Sequence, residues 1–386
     1  MRILVINAGS SSIKFGVFDN GEHVFKHTLD NLEKIEDALE KVPSILKENG
    51  CKDFDVIGHR IAHGGEAFLE ACIIDSKVIS AIESCVPLAP LHNPPNLVGI
   101  RIAQKAWPDV PQVAVFDTAF HQSMPQKAVT YAVPQEWRDS GLRRYGFHGT
   151  SHKYVMMRVS EELGSRPQDL SIISCHLGNG ASICAINRGQ SVDTSMGMTP
   201  LEGLVMGTRS GDVDPGLFAF LYRTQGLLPD QIEEHLYKNS GMKALSGAGN
   251  DMRVIQQKAE NGDKQAALAI DIYTYRVRKY IGAYVAVLGT VDILAFTGGI
   301  GENSSFIRQK ICNNLGFINL HFDENRNAKV DLKSYEAPQI HAEKSRIKVM
   351  VTKTREQWMI AKECEDIMLK YPTTHTEKGI HHGSSC

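Results

Sequence analysis

The sequence predicts an α/β protein built from two similar halves. The first observation is a pattern near the start, in which apolar residues 3–6, a glycine- and serine-rich turn, apolar residues 13–18 and a tight turn at residues 19–21 follow one another. The second is that "SIISCHLGNGASICAINRGQSV" repeats this pattern from Ser171 onwards. Short apolar runs bounded by turn residues are typical of buried strands. A pattern that recurs at domain spacing indicates a duplicated unit.

The length and composition of the chain agree with this prediction. Its 386 residues are enough for two domains with a sizeable core. A hydrophobic content of 42% and a charged content of 22% are those of an ordinary globular protein. The formal net charge of −2 gives no sign of a nucleic-acid or membrane-surface partner. We therefore expect any functional basic residues to act locally, inside a site.

The cysteines and the apolar runs favour a soluble cytoplasmic protein. The eight cysteines are scattered without a CxxC pair, which argues against a disulfide framework or a structural zinc site. The first apolar run ends at Asn7, too soon for a signal-peptide core. No apolar run approaches the roughly 20 residues that cross a bilayer, so we expect no membrane partner.

The remaining elements are predicted from the hydrophobic period and the turn residues. In the first half we expect a strand over residues 23–27, a helix over 32–46, a strand in "DVIGHRIAHGG", a proline-rich loop "LAPLHNPPN", a helix ending near Ala106 and a strand in "QVAVFDTAFH". In the second half we expect helices over residues 231–237 and 264–288, strands in "VDILAFTGG" and "IKVMVT", and a final helix. The polar tail from about residue 371 is predicted to be disordered.

Three glycine-rich turns point to an anion site. The first, residues 9–12, is followed by a strand pattern through Lys14, so it is not the strand-to-helix P-loop. It is either an ordinary hairpin turn or a cradle of N–H and hydroxyl groups for an anion. A second copy in "HLGNGAS" favours the cradle, because two such hairpins facing one cleft are typical of nucleotide-binding folds of the actin and sugar-kinase type. The third turn, "TGGIGEN", lies before a helix predicted to begin near Asn303, where glycines allow close backbone approach to a ligand.

Charged residues stand at the ends of predicted strands. Arg60 follows "GH" in "GHRIAHGG", Asp117 ends "VAVFD", and Arg209 lies among turn formers in "GTRSGDVDPG". Glycine-rich loops offer an arginine little to pack on, which favours a role in binding anions. The structural alternatives are an ion pair of Arg209 with Asp212 or Asp214, a helix N-cap at Asp117, and hydrogen-bonded, partly buried imidazoles at His92 and His148.

Eight segments together resemble the acetate kinases and the related propionate kinases. They are "NAGSSSIKF", "HRIAHGG", "PLHNP", "VFDTAFH", "RYGFHGTSH", "HLGNGASI", "GMTPLEGLVMGTRSGDVDP" and "TGGIGEN", and the resemblance runs in order from residue 3 to about residue 361. It implies an enzyme that converts acetate and ATP to acetyl phosphate and ADP, reversibly, by direct in-line transfer. Mg²⁺ is the implied cofactor, with Mn²⁺ as a substitute.

The resemblance also implies a fold and an assembly. The fold is the duplicated ribonuclease-H-like architecture of actin, sugar kinases and chaperone ATPases, with the nucleotide in an interdomain cleft. Domain I would comprise residues 1–121 and 359–386, and domain II residues 122–358. The expected assembly is a homodimer.

The resemblance assigns catalysis and acceptor binding to individual residues. The implied catalytic residues are Arg60, Asp117, His148 and Arg209, with His92 and His176 in support. The implied acyl pocket is formed by Arg60, Ala62, Leu91, Phe147 and Pro200. In phosphoryl transfer the protein mainly positions groups and neutralises charge, and a guanidinium forks onto oxygen pairs as lysine cannot. Because a carboxylate acceptor is already ionised, we expect Asp117 to orient groups and bind Mg²⁺ rather than act as a base.

Further residues are implied to hold the nucleotide and the metal. The first phosphate loop would supply Asn7, Ser10, Ser12 and Lys14. The second loop and the adenosine side would supply His176, Leu177, Gly178, Asn179, Gly180, Asp251, Met252, Arg253, Gly299, Ile300, Gly301 and Asn303. The implied Mg²⁺ ligands are Asn7 and Glu356.

Two departures from the family pattern bear on function. The late family segment T-N-E-E-L is here residues 354–358, T-R-E-Q-W, and the positive charge of Arg355 beside Glu356 should lower local metal affinity. Acetate kinases typically have valine where this chain has Ala62, and an alanine at this position is similar to the pattern of the propionate kinases. The space freed suits one more substrate methylene, whose burial is worth about 0.8 kcal/mol. Acetate and propionate therefore both remain open as acceptors.

Two other classes of protein are compatible with the glycine-rich turns. A non-catalytic ATP-binding protein of the actin type would keep the three turns but has no need of Arg60, Asp117 and Arg209 together. A sugar kinase would need a polar acceptor site, whereas the residues implied for the acyl pocket are mostly apolar.

Overall fold

The computed structural model describes residues 1–9, 12–30, 32 and 34–371. Ser10 of the first turn lies outside the described residues, as does the tail from residue 372 that was predicted to be disordered.

The described strands form two mixed sheets. The first sheet contains β1 (Arg2–Ala8), β2 (Ser12–Asp19), β3 (Glu22–Asp30), β4 (Val56–Ile61), β5 (Cys72–Ile73) and β6 (Gln112–Phe116), in the order β3-β2-β1-β4-β6-β5. The second contains β7 (Ser171–Leu177), β8 (Ala181–Asn187), β9 (Gln190–Thr194), β10 (Ile293–Thr297) and β11 (Lys348–Val351), in the order β11-β10-β7-β8-β9.

The two sheets share one topology. In each, three consecutive strands pair antiparallel, β1-β2-β3 in the first sheet and β7-β8-β9 in the second. The first strand of each trio then pairs parallel with a later strand, β4 or β10, and that strand pairs parallel with β6 or β11. The repeat seen in the sequence is thus a repeat in strand order, and the predicted duplicated α/β fold is confirmed.

Helices connect and cover the strands. In chain order they are α1 (Ile35–Leu39), α2 (Val42–Glu48), α3 (Ser76–Ser84), α4 (Asn93–Ala106), α5 (Gln126–Val129), α6 (Gln135–Asp139), α7 (Gly149–Glu162), α8 (Gly216–Gln225), α9 (Pro229–Lys238), α10 (Gly241–Ser246), α11 (Met252–Glu260), α12 (Lys264–Leu288), α13 (Gly298–Asn303), α14 (Ser305–Cys312), α15 (Glu324–Ala328) and α16 (Glu356–Lys370). Short 3-10 helices lie at Val86–Leu88, Ala119–Ser123, Pro167–Asp169 and Gly316–Ile318. Among these described helices, none combines the length and apolar character needed to span a membrane.

The last helix returns to the first sheet. On α16, Ile360, Cys364 and Ile367 are buried in one apolar cluster with Val5 of β1 and Val56 of β4. The second sheet is covered by the long helix α12, which contributes to a larger core of its own. The last described helix therefore packs on the half that contains β1, and its first residue, Glu356, borders a cleft lined by residues of both halves.

Three elements differ from their sequence prediction. Residues 32–46 do not form one helix: α1 ends at Leu39 and α2 begins at Val42, with a proline in its first turn, where the missing N–H costs no bond. For the same reason α4 includes the two prolines that were assigned to a loop, and it begins at Asn93. The segment "TGGIGEN" is not an open loop, because residues from Gly298 onwards form the short helix α13.

Candidate active site

Neighbouring parallel strands bring Arg60 and Asp117 together. Arg60 lies near the carboxyl end of β4, and Asp117 directly follows β6, the next strand in the sheet. Arg60 Nε donates to Asp117 Oδ1 at 3.0 Å, and its Nη2 pairs with Asp117 Oδ2. Asn7, near the end of β1 on the other side of β4, accepts a long hydrogen bond from Arg60 Nη1 at 3.4 Å. Ligand sites of α/β sheets form at this edge, where the carboxyl ends of the strands meet.

The Arg60–Asp117 pair is buried and strongly coupled. Burial raises the pKa of Asp117, an effect that the Arg60 guanidinium opposes and the charge of Glu356 reinforces. Burial alone would lower the pKa of Arg60, but Asp117 and Glu356 outweigh it and raise that pKa. Arg60 is therefore a fixed cation held in one orientation, and Glu356 lies near enough for its charge to act on both partners.

The two halves of the chain enclose a cavity of about 50 Å³. Its lining comprises Arg60, Ala62, His92, Asp117, Phe147, His148, Pro200 and Arg209. All were singled out from the sequence. Leu91 does not line the cavity, and 50% of its surface is exposed. The wall of this cavity is thus apolar at Ala62, Phe147 and Pro200 and cationic at the two arginines.

Arg209 has no carboxylate partner within the described ranges. Its Nη1 donates to the carbonyl oxygen of Pro200 at 3.1 Å, and its guanidinium lies 5.7 Å from the centre of the Tyr237 ring. The structural alternative of an ion pair is not found, because Asp212 pairs with Arg276 at 3.2 Å. Asp214 instead accepts from the backbone N–H of Gly216. Burial and the positive charge of Arg60 lower the pKa of Arg209, so an anion in the cavity would be strongly favoured.

His148 lies in a strained backbone conformation at the start of α7. Its φ of 57° is in the left-handed region, which only a few per cent of non-glycine residues occupy. The N–H of the next residue, Gly149, donates to the carbonyl oxygen of Asp117 at 2.9 Å and so fixes this turn against the end of β6. The alternative of Asp117 as a helix N-cap is not realised, since its carboxylate binds Arg60.

The histidines of the site are neutral at pH 7. The rings of His148 and His176 stack with centres 4.3 Å apart. Burial, with the charges of nearby histidines and arginines, lowers the pKa of His148 well below its usual range. Burial lowers the pKa of His92 and of His176 to about 4. These side chains therefore act as hydrogen-bonding groups in the ground state, not as cations.

The residues predicted to bind Mg²⁺ border a larger cleft of about 640 Å³. Asn7, Lys14 and Glu356 line it. The oxygens of Asn7, Glu356 and the nearby Asp117 are a donor set that fits a hard cation such as Mg²⁺. Among the described residues, no three His, Cys, Asp or Glu side chains converge on one point, so the ion would keep several waters. Arg355 pairs with Glu336 at 2.9 Å, which offsets its repulsion of a cation at Glu356.

The residues predicted for the adenosine side line a third cavity, of about 580 Å³. Those that line it are Gly178, Asn179, Asp251, Met252, Arg253, Gly299, Ile300 and Asn303. Leu177 and Gly301 are buried behind this wall. Gly180 instead faces the cavity lined by Arg60 and Arg209, because a Cβ atom there would lie 3.5 Å from the His148 ring and 3.8 Å from Arg209 Nη1. The carbonyl oxygen of Ser12 accepts from Gly9 in the first turn.

Sequence reasoning missed the residues that hold the imidazoles of His148 and His176 in place. Ser182 Oγ lies 2.9 Å from His148 Nδ1, and Ser151 Oγ lies 2.8 Å from His176 Nδ1. Ser182 belongs to the motif "HLGNGAS", which was singled out for its glycines and asparagine. Ser151 belongs to "RYGFHGTSH", three residues after His148. A serine beside a histidine-containing turn was the signal available for both.

Comparison with known proteins agrees with the geometry. The sequence model of the Acetokinase family matches residues 21–362. The acetate kinase of Thermotoga maritima is 45% identical, with 96% of this chain and 99% of that protein covered. The acetate kinase of Acetivibrio thermocellus is 46% identical, with 94% of this chain and 98% of that protein covered.

Solved structures lead to the same family. The structure of Porphyromonas gingivalis acetate kinase superposes with a TM-score of 0.88 at 41% identity, covering 95% of this chain and 99% of that chain. A propionate kinase from Francisella tularensis has a TM-score of 0.87 at 40% identity, covering 94% of this chain and 98% of that chain. The prediction of a kinase is thereby confirmed, and the chain belongs to the acetokinase family, as a phosphotransferase with a carboxyl group as acceptor.

Proposed function

We propose that this protein phosphorylates a short-chain carboxylate with ATP and Mg²⁺, giving an acyl phosphate and ADP in a reversible reaction. The observation that carries the proposal is the cavity of about 50 Å³ between Arg60 and Arg209. It pairs two cations with an apolar wall of Ala62, Phe147 and Pro200. A water needs about 10–15 Å³ of such space, so the cavity admits a ligand of only a few heavy atoms.

The chain's own residues supply positioning and charge. Arg60 is held by Asp117 and presents its remaining N–H groups to an acceptor carboxylate, which needs no general base because it is already ionised. Arg209, free of carboxylate partners in the described structure, balances the charge on the phosphoryl oxygens during in-line transfer. The neutral His148 adds a hydrogen bond to the same group.

The nucleotide is proposed to lie across the space between the sheets. Its adenosine would occupy the cavity bordered by residues 251–253 and α13, with Asn179 and Gly180 towards the phosphates. Ser12 and Lys14 would contact the phosphates from the first hairpin. Mg²⁺, or Mn²⁺ in its place, held by Asn7, Glu356 and Asp117, would neutralise phosphate charge when bound. Two observations support this placement: Asn7 and Asp117 both accept hydrogen bonds from Arg60, and the charge of Glu356 acts on Asp117.

Acetate is the proposed acceptor, and propionate is a second candidate. The relatives include acetate kinases and a propionate kinase at nearly equal structural similarity, so they do not separate the two acceptors. The favouring observation for propionate is that the cavity wall has alanine at position 62. One extra methylene in an apolar pocket changes specificity by about 10- to 200-fold.

The test is acyl phosphate formation from ATP and Mg²⁺, trapped with hydroxylamine, with acetate, propionate and butyrate compared. Turnover of acetate or propionate is expected, and the larger kcat/KM decides between them. A protein that binds ATP but turns over no carboxylate would be the non-catalytic alternative. Acceptance of sugars in place of carboxylates would assign a sugar kinase and contradict the proposal.

We also propose a cytoplasmic homodimer with domain boundaries near residues 121 and 358. Within α8 no residue is buried, and Phe220 and Tyr222 are 56% and 59% exposed, which supports a second copy of the chain as the partner. The seven cysteines in the described structure are free thiols, as a reducing compartment requires. Light scattering on the purified protein tests the assembly: Phe220→Asp should shift a dimer towards monomer, and a monomeric parent would contradict the proposal.

A further inference from the structure

On the basis of the proposed function, we infer that a buried relay, a line of hydrogen bonds through Ser174, His152 and Ser182, sets the tautomer of His148. In that tautomer the proton is on Nε2, and the Nε2–H faces the transferred phosphoryl group. The three relay residues are positioning residues, because none of them lines the catalytic cavity. They act on the reaction only through the proton that they leave on His148.

The relay is a continuous line of short contacts. Ser174 Oγ lies 2.9 Å from His152 Nδ1, and His152 Nε2 lies 2.8 Å from Ser182 Oγ. The same Ser182 oxygen lies 2.9 Å from His148 Nδ1. Ser174, His152 and Ser182 are completely buried, whereas His148 ends the line at the cavity. Solvent water therefore does not reach these three side chains, so each of their hydrogen bonds must come from the protein.

Counting protons gives the line two possible directions. A neutral imidazole has one N–H donor and one acceptor nitrogen, and a serine hydroxyl has one proton to donate. Ser182 therefore donates to one histidine and accepts from the other. If Ser182 donates to His148 Nδ1, His148 carries its proton on Nε2; if it donates to His152, His148 carries its proton on Nδ1.

Ser174, at the end of the line away from His148, determines which direction is favoured. In the first, Ser174 donates to His152 Nδ1, His152 Nε2–H donates to Ser182, and Ser182 donates to His148, so every buried donor is used. In the second, His152 Nδ1–H donates to Ser174, and the Ser174 hydroxyl proton needs another acceptor. Among the described residues Ser174 Oγ has no partner besides His152. A buried donor without a partner costs about 1–3 kcal/mol, which favours the first direction.

The relay requires neutral histidines, and the site provides them. Burial, followed by the charges of neighbouring histidines, lowers the pKa of His148 and of His152 well below the usual range. With Nδ1 occupied by Ser182, the Nε2–H of His148 is left for a ligand. A hydrogen-bond donor whose position is fixed before the reaction suits this place, because the oxygens of a transferring phosphoryl group carry negative charge.

The first test compares two serine-to-alanine variants of the full-length protein. Ser182→Ala removes the relay atom, and kcat is expected to fall about 10- to 100-fold with the KM values for carboxylate and ATP nearly unchanged. Ser191→Ala is the matched control: it removes an equally buried bond, 2.8 Å to His121 Nδ1, that does not reach His148. Equal loss of kcat in both variants, or wild-type kcat in Ser182→Ala, would overturn the relay.

The second test uses position 152. In His152→Gln a side-chain amide can still donate at the place of Nε2 but cannot change tautomer, so it should retain most of the kcat. His152→Leu keeps a similar volume without a donor, and its kcat should fall as in Ser182→Ala. If the glutamine and leucine variants lose activity equally while melting at the wild-type temperature, the direction of the relay is wrong.

The third test does not depend on activity. Long-range ¹H–¹⁵N spectra of protein labelled at histidine distinguish the two neutral tautomers, and a His148→Gln variant assigns the signal. We expect a protonated Nε2 and a bare Nδ1 at His148. A protonated Nδ1 would refute the inference even if the enzyme phosphorylates carboxylates, whereas the expected tautomer in a protein without kinase activity would refute only the proposed function.

Discussion

Arg60 and Arg209 carry the same charge in different surroundings. Arg60 is neutralised by Asp117, whereas the described contacts of the Arg209 guanidinium, a carbonyl oxygen, the Met206 sulfur and an aromatic face, are all uncharged. An arginine without a counter-ion is suited to stabilise the negative charge that develops during the reaction. The two residues should therefore respond differently to mutation, Arg60 in stability and acceptor binding and Arg209 in turnover.

Arg209→Ala is expected to lower kcat by about 1,000-fold or more, the usual effect of losing an arginine that contacts the transferring phosphoryl group. Nucleotide affinity should stay near the wild-type value, because Arg209 does not line the adenosine cavity. The melting temperature should not fall much, since no ion pair is lost. Steady-state kinetics with equilibrium binding of ADP measures both effects. Arg166→Ala, at an exposed ion pair, is the control, and unchanged turnover in Arg209→Ala would contradict the assigned role.

Ala62 is expected to set the length of the acceptor. In Ala62→Val two methyl carbons enter a cavity of about 50 Å³, so the ratio of kcat/KM for propionate over acetate should fall. The expected change is about 4- to 10-fold, from roughly 0.8 kcal/mol per methylene to the lower end of pocket discrimination. Ala62→Gly should move the ratio in the opposite direction. The same ratio in all three proteins would mean that position 62 does not limit acceptor size.

At the scale of elements, strands were easier to predict than helix boundaries. Buried strands such as β1, β7 and β10 are short apolar runs that end at turn residues, and the sequence displays both features locally. The break between α1 and α2 depends on how two short helices pack on the first sheet, which no periodicity records. The helical form of α13 depends on contacts of its residues with β7, because Gly298 at φ 79° lies against the Leu177 backbone.

The contact of α16 with the first sheet depends on a glycine. A Cβ atom on Gly58 of β4 would lie 2.5 Å from Cys364 Sγ and 2.9 Å from Ile360 Cγ2. Gly58→Ala should therefore push α16 outwards and lower the free energy of unfolding by about 1–3 kcal/mol. Urea denaturation measures this change.

Gly99→Ala is the matched control for that substitution. The added Cβ in α4 would meet Leu39 and Ile6 at 3.7 and 3.9 Å, which are ordinary contacts. Replacing a helical glycine by alanine should then stabilise the protein by about 0.5–1 kcal/mol. Two variants of equal stability would show that α16 can shift without cost and that Gly58 is not required for its position.

At the scale of the whole molecule, the sequence predicted which residues line the small cavity better than which residues support them. The glycine-rich turns, Arg60, Asp117 and Arg209 were recognisable because their residue types are unusual in such surroundings. Ser182 and His152 were not, since a serine and a histidine in buried segments look like ordinary core residues. Their significance depends on which neighbour each hydrogen-bonds to, and the packing of α7 against strands β7 and β8 decides that.

The many buried histidines give the whole protein a predicted acid limit. Burial lowers the pKa of His59, His63, His92, His121 and His176 to about 4. The unfolded chain has the ordinary value near 6.5, so between pH 6.5 and 4 it binds more protons than the folded protein, and stability must fall as the pH is lowered through this interval. Each such imidazole contributes up to about 1.4 kcal/mol per pH unit to the loss of stability.

Urea midpoints measured from pH 7 to pH 4.5 should therefore decline. His59→Asn, which removes one of these imidazoles outside the catalytic cavity, should have a shallower decline than the wild type. Equal slopes in the two proteins would mean that the pKa of His59 is the same in the folded and the unfolded state.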